Sequence, residues 1–284
     1  MLRFNYRLII YIIGLLLLFN SIAILSSSLV SFIYNDGFLF DIIKASIICF
    51  TIGIIVMLIS KNPSKVINRR DGYLIVVLGW LTMVFSGTLP YIFTNTINNI
   101  PDLVFETMSG YTTTGSSVIS DVESLPESIL FWRSMTHWLG GMGIIVLAIA
   151  ILPLLGIGGM QLFSAEAPGS GISGDKIHPR ISNTAKRLWL IYIGLTLIET
   201  ILLKIAGMSF FDAINHSMSN VATGGFSTKN DSLSFFNSMP LIQYIIVFFM
   251  LLAGTNFLLI YLSLLGKFKK LLYNTEFVWF LSLI

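Results

Sequence analysis

The sequence predicts an all-α integral membrane protein. It reads as a leading helix pair followed by two repeats of helix, short re-entrant helix and helix, with six spanning helices and the start of a seventh. Three observations carry this. Of the 284 residues, 55% are hydrophobic and 11% are charged, whereas a soluble domain carries about 25% charge. The apolar runs are about 20 residues long, which suits membrane helices rather than barrel strands. Two polar threonine–glycine stretches each follow an apolar segment that is too short to span.

The elements follow in order. The run over 8–33 is too long for a signal-peptide core and lacks a clear small-residue cleavage site, so it reads as a retained helix. Further spans are expected at 38–60, 72–94, 127–157, 187–207 and 240–266. The apolar pieces 101–111 and 209–221 are each about ten residues long, short of a bilayer, and read as re-entrant segments. The expected organisation is therefore a leading pair (1–60), a first repeat (61–160), a second repeat with its preceding loop (161–270) and the start of a third, truncated repeat (271–284). The last assignment rests on "NTEFVWFLSLI", which opens an apolar run after "KFKK" and stops without flanking polar residues; the chain reads as part of a longer protein. The lone cysteine, Cys49, excludes an intramolecular disulfide.

Charge sets the expected orientation. Arg3, Arg7, Lys61, Lys65, Arg69, Arg70, Lys176, Arg180, Lys186, Arg187, Lys267, Lys269 and Lys270 make up most of the 17 basic residues. All fall on the cytoplasmic side if the N-terminus is cytoplasmic, as the positive-inside rule asks. The opposite side holds Asp36, Asp102, Asp121, Glu123, Glu127, Asp212 and Asp231. Those acids either concentrate cations at a mouth or are the ordinary acids of outer loops.

The internal repeat centres on "YTTTGSS" and "NVATGGFS". Aligning Gly115 with Gly224 places Thr114 on Thr223, and a proline near the next helix start follows each loop, Pro126 and Pro240. Repeated units in transport proteins place binding sites at their interface. Irregular backbone at membrane depth survives only where it is buried in protein or lines water. Its carbonyls lack helical partners, and coordinating a dehydrated monovalent cation satisfies them. A short helix ahead of each loop aims its negative C-terminal end at such a path. The competing reading is a polar turn between helices, and its occurrence twice on one side favours the filter.

The segments "FETMSGYTTTGSS", "FWRSMTHWLGGMGIIVLAIAILPLLGIGGMQLF", "AEAPG", "PRI", "TAKRLWLIY" and "SNVATGGFS" closely resemble the Trk-type potassium uptake transporters, the TrkH/KtrB superfamily. The resemblance runs along nearly the whole chain, and the helix pair at 1–60 is similar to the TrkH branch. It implies four helix–pore-helix–helix units around one pore in a bacterial inner membrane, of which this chain holds two. It implies that carbonyls of Thr113, Thr114, Ala222 and Thr223 face potassium, with Gly115 and Gly224 shaping the turn and Thr112 and Val221 as neighbours. It also implies a cytoplasmic nucleotide-binding regulatory subunit, with the loop at 158–187 as a contact, and a homodimer in the lipid bilayer. No cofactor, transition-metal site or nucleic-acid partner is expected, and potassium is the transported ion. Half a filter cannot enclose an ion, so these residues alone are expected not to conduct unless two copies pair.

Several residues carry two readings. Glu106 either holds a pore helix by a buried hydrogen bond or adds negative potential. Glu199 and Lys204 read as an internal pair or a snorkelling lysine in preference to an ion site. Arg133 and His137, one turn apart, read as structural hydrogen-bonders ahead of a proton relay, as does His216; His178 reads as solvated. No pair of histidines has metal-ligand spacing. "GGMG" (140–143) and "GIGG" (156–159) read as packing points, not nucleotide loops, since no lysine–serine/threonine tail follows. The competing classes are an intramembrane serine hydrolase, with Ser173 of "GISG" (171–174) as nucleophile but no histidine on a neighbouring span as base, and a non-conducting membrane scaffold.

Overall fold

The computed structural model describes residues 4–60, 69–143 and 178–283; for 69, 178–185 and 258 only the backbone is described. Within these residues there are helices and no strands. The leading pair is α1 (Tyr6–Tyr34) and α2 (Leu39–Ile59). Asn5 caps α1 by accepting from the Leu8 N–H at 3.3 Å. The helix stops at Asn35 in the left-handed region, a conformation asparagine tolerates.

The span expected at 72–94 is broken into α3 (Arg69–Gly87) and α4 (Leu89–Thr94). Pro90 has no N–H to give the Ser86 carbonyl, which interrupts the ladder. The Gly87 carbonyl accepts from Trp132 Nε1 at 3.0 Å. Next come the short α5 (Ile100–Tyr111) and α6 (Glu127–Gly141), which is the described part of the span expected at 127–157. Helix α7 (His178–Ile205) starts nine residues before the expected 187, with Pro179 in its first turn, where the missing N–H costs nothing. The short α8 (Phe210–Val221) leads to a 3₁₀ turn at Ser232–Phe236.

The span expected at 240–266 is likewise interrupted, as α9 (Pro240–Ala253) and α10 (Phe257–Leu264), with Gly254 capping α9. Two further pieces follow, α11 (Phe268–Leu272) and α12 (Thr275–Leu283). Among the described residues, Tyr6–Tyr34, Leu39–Ile59, Arg70–Thr94 and Lys186–Ile205 are long and apolar enough to cross a membrane. Arg3, Lys61, Lys65, Lys176, "GIGG", "GISG" with Ser173, and the part of the 158–187 loop before 178 lie outside the described residues. So do the side chains of His178 and Arg180.

Packing makes α6 a shared wall. Helix α1 lies along α2 and also touches α3 and α6, while α6 packs against both α5 and α8. A core of α1–α6 side chains, including Ile12, Ile24, Ile42, Met83, Tyr91, Tyr111 and Trp132, surrounds the first unit. A smaller cluster of Leu203, Met208, Ala213, Phe236, Ile242 and Ile246 serves the second. Both short helices end in loops held beside α6.

Candidate functional site

Helices α5 and α8 have 12 residues each, about 18 Å at 1.5 Å per residue and well short of a bilayer. They end identically. The Thr113 N–H donates to Gly110 O at 3.1 Å and the Thr114 N–H to Ser109 O at 3.0 Å. In the second unit Thr223 donates to Asn220 O at 2.8 Å and Gly224 to Ser219 O at 2.8 Å. This crossed pair of bonds is the Schellman closure, whose pivot takes a left-handed conformation that glycine usually supplies. Here the pivots are threonines, Thr113 at φ 53° and Thr223 at φ 55°. A β-branched residue there is strained by about 1–3 kcal/mol, and such strain clusters at functional sites.

These bonds correct the register of the repeat. Ile100 and Phe210 begin the two helices, so equivalent positions differ by 110. Gly115 therefore matches Gly225, both at positive φ (76° and 92°), and not Gly224. Thr112, Thr113 and Thr114 match Ala222, Thr223 and Gly224, and Tyr111 matches Val221. Matching the two Thr–Gly pairs by letter gives a register one residue off, because the bonds counted from each helix end, not the letters, define equivalent positions.

The loops leave acceptors open. Among the described residues no hydrogen bond reaches the carbonyl oxygens of Thr112, Thr113 and Thr114, or of Ala222, Thr223 and Gly224. The loops also touch: a Cβ on Gly115 would sit 1.9 Å from the Gly224 oxygen. Gly115 thus needs glycine twice, for its φ and for this approach. Gly224 needs it for space, because a Cβ there would meet His137 Nδ1 at 2.1 Å.

Helix α6 supplies the frame between the loops. Arg133, 2% exposed, donates from Nε to Glu106 Oε1 at 3.0 Å, from Nη2 to Ser117 Oγ at 3.2 Å, and from Nη1 to the Ser227 carbonyl at 3.3 Å. Its guanidinium lies 4.2 Å from the centre of the Phe226 ring. Glu106 also accepts from Ser117 Oγ at 3.0 Å and the Val118 N–H at 2.9 Å. The carboxylate therefore holds its loop through buried bonds with its charge paired. His137 Nδ1 bonds Ser219 Oγ of α8 at 3.0 Å, and its ring stacks on Phe226 at 3.9 Å. One turn of α6 thus grips both units. In the second unit His216 occupies the Glu106 position and Ser227 the Ser117 position, and His216 Nε2 lies 3.0 Å from Ser227 Oγ.

Glu199 and Lys204 do not pair. Among the described residues the ion pairs join Lys44 to Asp41, Arg133 to Glu106 and Lys229 to Asp212. Five residues of helix turn Lys204 away from Glu199, and Lys204 is exposed. Glu199 is buried and accepts from Asn220 Nδ2 at 2.6 Å, and the same amide reaches the Ile246 carbonyl at 3.1 Å. Its Oε2 has no partner among the described residues. Beside this latch lies a cavity of about 240 Å³, lined by His216, Asn220, Gly225, Ile246 and Met250 among others.

Further anchors were not read from the sequence. Asn20 accepts from the Tyr111 hydroxyl at 2.7 Å and donates to Ser86 Oγ at 2.7 Å. Asp36, between α1 and α2, accepts from the N–H of Ser128 at 3.0 Å and so caps α6, whose own N-cap Pro126 offers no side-chain bond. It also accepts from Ser31 and from the Phe38 N–H at 3.1 Å. Burial opposes ionisation of Asp36, but the bonds from Ser128, Ser31 and Phe38 outweigh it and hold its pKa below the usual value. Asn230 joins the loops beyond the site, accepting from the Val122 N–H at 2.7 Å and donating to Asp121 at 2.9 Å. A lone asparagine in the first apolar run was the one visible signal, since polar groups in spans are expensive.

Comparison with known proteins shows the family. Residues 39–283 match the family model TrkH, described as a cation transport protein. The chain is 44% identical over 280 residues to the "Trk system potassium uptake protein TrkH" of Salmonella typhimurium, covering 98% of this chain and 58% of that protein. It is 37% identical to the "Trk system potassium uptake protein TrkG" of Escherichia coli, covering 98% and 57%. The crystal structure of the potassium transporter TrkH from Vibrio parahaemolyticus superposes with a TM-score of 0.81 at 38% identity, covering 98% of this chain and 56% of that one. The chain thus spans a little over half the length of the relatives it matches. On the matched span and the shared fold, the chain belongs to the TrkH family of cation transport proteins.

Proposed function

We propose that this chain supplies two segments of the selectivity filter of a potassium uptake pore. The observation that carries this is the pair of abutting loops whose unpartnered carbonyls follow two short helices in the same register. Such oxygens replace the water shell of a monovalent cation. In the corrected register the coordinating carbonyls are those of Thr113 and Thr114 in one loop and Thr223 and Gly224 in the other. Thr112 and Ala222 stand beside them, and Gly115 and Gly225 provide the turn. Val221 is the last residue of its helix, ahead of the loop. No bond making or breaking is needed, so the protein acts as a channel-like transporter and not as a hydrolase. The names of its relatives point the same way.

The membrane is the inner one, with the N-terminus cytoplasmic. Supporting this, Arg7 and Arg70 neighbour a contact between Asn5 and Asp71 at 3.1 Å, and Arg187 bonds Tyr261 near the lysines after α10. The basic ends therefore gather away from Asp36, Asp121 and Glu123. A nucleotide-binding regulatory subunit on the basic side and a second copy of the transporter complete the assembly. The test is potassium uptake. These residues are expressed, joined to the remaining part of a TrkH relative's pore, in bacteria lacking their own uptake systems, and growth at low potassium and rubidium influx are measured. Rescue is expected, with loss on Gly115→Ala. Growth no better than the empty control would sink the reading.

A further inference from the structure

The leading helix pair lies outside both loop units, yet it reaches the first of them at its most sensitive point. Asn20 is fully buried in α1. Its carbonyl oxygen takes the Tyr111 hydroxyl and its amide holds Ser86 Oγ, both at 2.7 Å. Ser86 in turn donates to the Thr82 carbonyl of α3 at 2.7 Å. Tyr111 is the last residue of α5, and the next residue opens the loop. Its ring packs edge-on to Trp132 at 6.5 Å, and its backbone oxygen leaves no room for a Cβ on Gly140. Tyr111 is thereby fixed at both ends, the backbone by α6 and the phenol by α1.

Among the described residues the second unit has no such tie. Its equivalent residue is Val221, which carries no polar atom on its side chain. Helix α1 meets α8 through Tyr34 and Phe211, whose rings lie 5.1 Å apart near the start of α8, away from the loop. A hydrogen bond between neutral groups at membrane depth has no water competing for its partners, so losing either one leaves the other unsatisfied.

We infer that Asn20 is a positioning residue for the first filter loop: through the Tyr111 hydroxyl it sets the backbone of Thr112–Gly115, and so how the pore discriminates among monovalent cations. The cation-discrimination half of this rests on the proposed function, and the backbone half does not.

The experiment uses the protein as expressed from its own gene, in wild-type form and as Asn20→Leu and Tyr111→Phe, which remove the same bond from its two ends. Amide hydrogen exchange is followed at 112–114 and at 222–224. Both variants are expected to speed exchange at 112–114 about tenfold while leaving 222–224 within about twofold of wild type. In uptake assays the half-saturating potassium concentration is expected to rise about tenfold, with sodium competing better and the maximal rate little changed. A brace that merely held the fold together would lower the maximal rate and leave the potassium-to-sodium preference alone. Unchanged exchange at 112–114, equal acceleration at both loops, or an unaltered cation preference would each overturn the inference. Absent potassium uptake in the wild type would instead sink the proposed function, and the exchange data would still decide the brace. Tyr111→Phe retains the ring against Trp132, so it remains a decisive variant if Asn20→Leu fails to accumulate.

Discussion

The two loop units share a backbone and the turn of α6 between them, but differ in their other supports. In the first, the helix end is a tyrosine wedged between Trp132 and Asn20, and the carboxylate of Glu106 is paired with Arg133. In the second, the helix end is Val221, and His216 stands where Glu106 does. The latch there is an amide, Asn220, held by Glu199, with a cavity of about 240 Å³ alongside. The same closure can thus be held by packed rings and a charge pair, or by a polar latch beside empty space. The first arrangement ties the loop to the leading helices; the second leaves it room to shift.

The sharpest way to break this contrast is at Arg133, because it serves both units at once. Arg133→Met is expected to destabilise the purified protein by about 3–5 kcal/mol, the cost of leaving a buried carboxylate unpaired. The double variant with Glu106→Gln should recover much of that. Denaturant unfolding measures both, and a double variant as unstable as the single would mean that the charge pair is not what Arg133 supplies.

Next in size is a swap across the corrected register. Gly224→Thr puts a side chain into His137 and is expected to cost about 2–3 kcal/mol by overpacking and to abolish uptake. Thr114→Gly, its mirror in the first unit, should cost less than about 1 kcal/mol. If the two cost the same, packing against the His137 ring is not what reserves position 224 for glycine.

Filling the second unit's cavity has the opposite sign. Ile246→Phe is expected to raise the melting temperature by about 2–4 °C, as a gain of about 1 kcal/mol does for a protein of this size.

The smallest effect is expected at Asp36. Its folded-state pKa is lowered, so the stability it contributes is present above the ordinary aspartate pKa and is lost as pH falls through the folded value. Asp36→Asn should cost about 1 kcal/mol at neutral pH through the weakened cap on α6. It should also flatten the decline in stability below about pH 4. An unchanged acid limb would show that the cap does not titrate.

Much of this architecture was legible because membrane helices follow from length and hydropathy alone. The long runs at 8–33 and 38–60 became α1 and α2, and the two ten-residue pieces became α5 and α8. The breaks at Thr88 and Gly254 were less so, because Pro90 and Gly254 sit inside windows whose average hydropathy hides them. The loops were visible as polar islands, but their register was not. Two adjacent glycines at 224–225 offer two alignments, and only the bonds from Ser109 and Ser219 choose between them. Arg133 and His137 stood out as buried polar residues one turn apart. Their targets did not, because Ser117, Phe226 and Ser227 are ordinary letters in loops. Asn20 and Tyr111 lie 91 positions apart, and no local pattern connects them.

The threonines at the left-handed pivots have a consequence for engineering. Glycine at 113 or 223 would relieve the unfavourable torsion and could raise the melting point. It would also enlarge the set of shapes each loop samples, because glycine has many conformations to choose from and threonine few. Beside Thr113 the hydroxyls of Thr112 and Thr114 meet at 2.8 Å, which narrows the choice further. A loop built this way is stiff in a conformation it would not choose alone. Glycine substitution at these two sites is therefore a route to a sturdier protein in which the proposed ion preference is blurred.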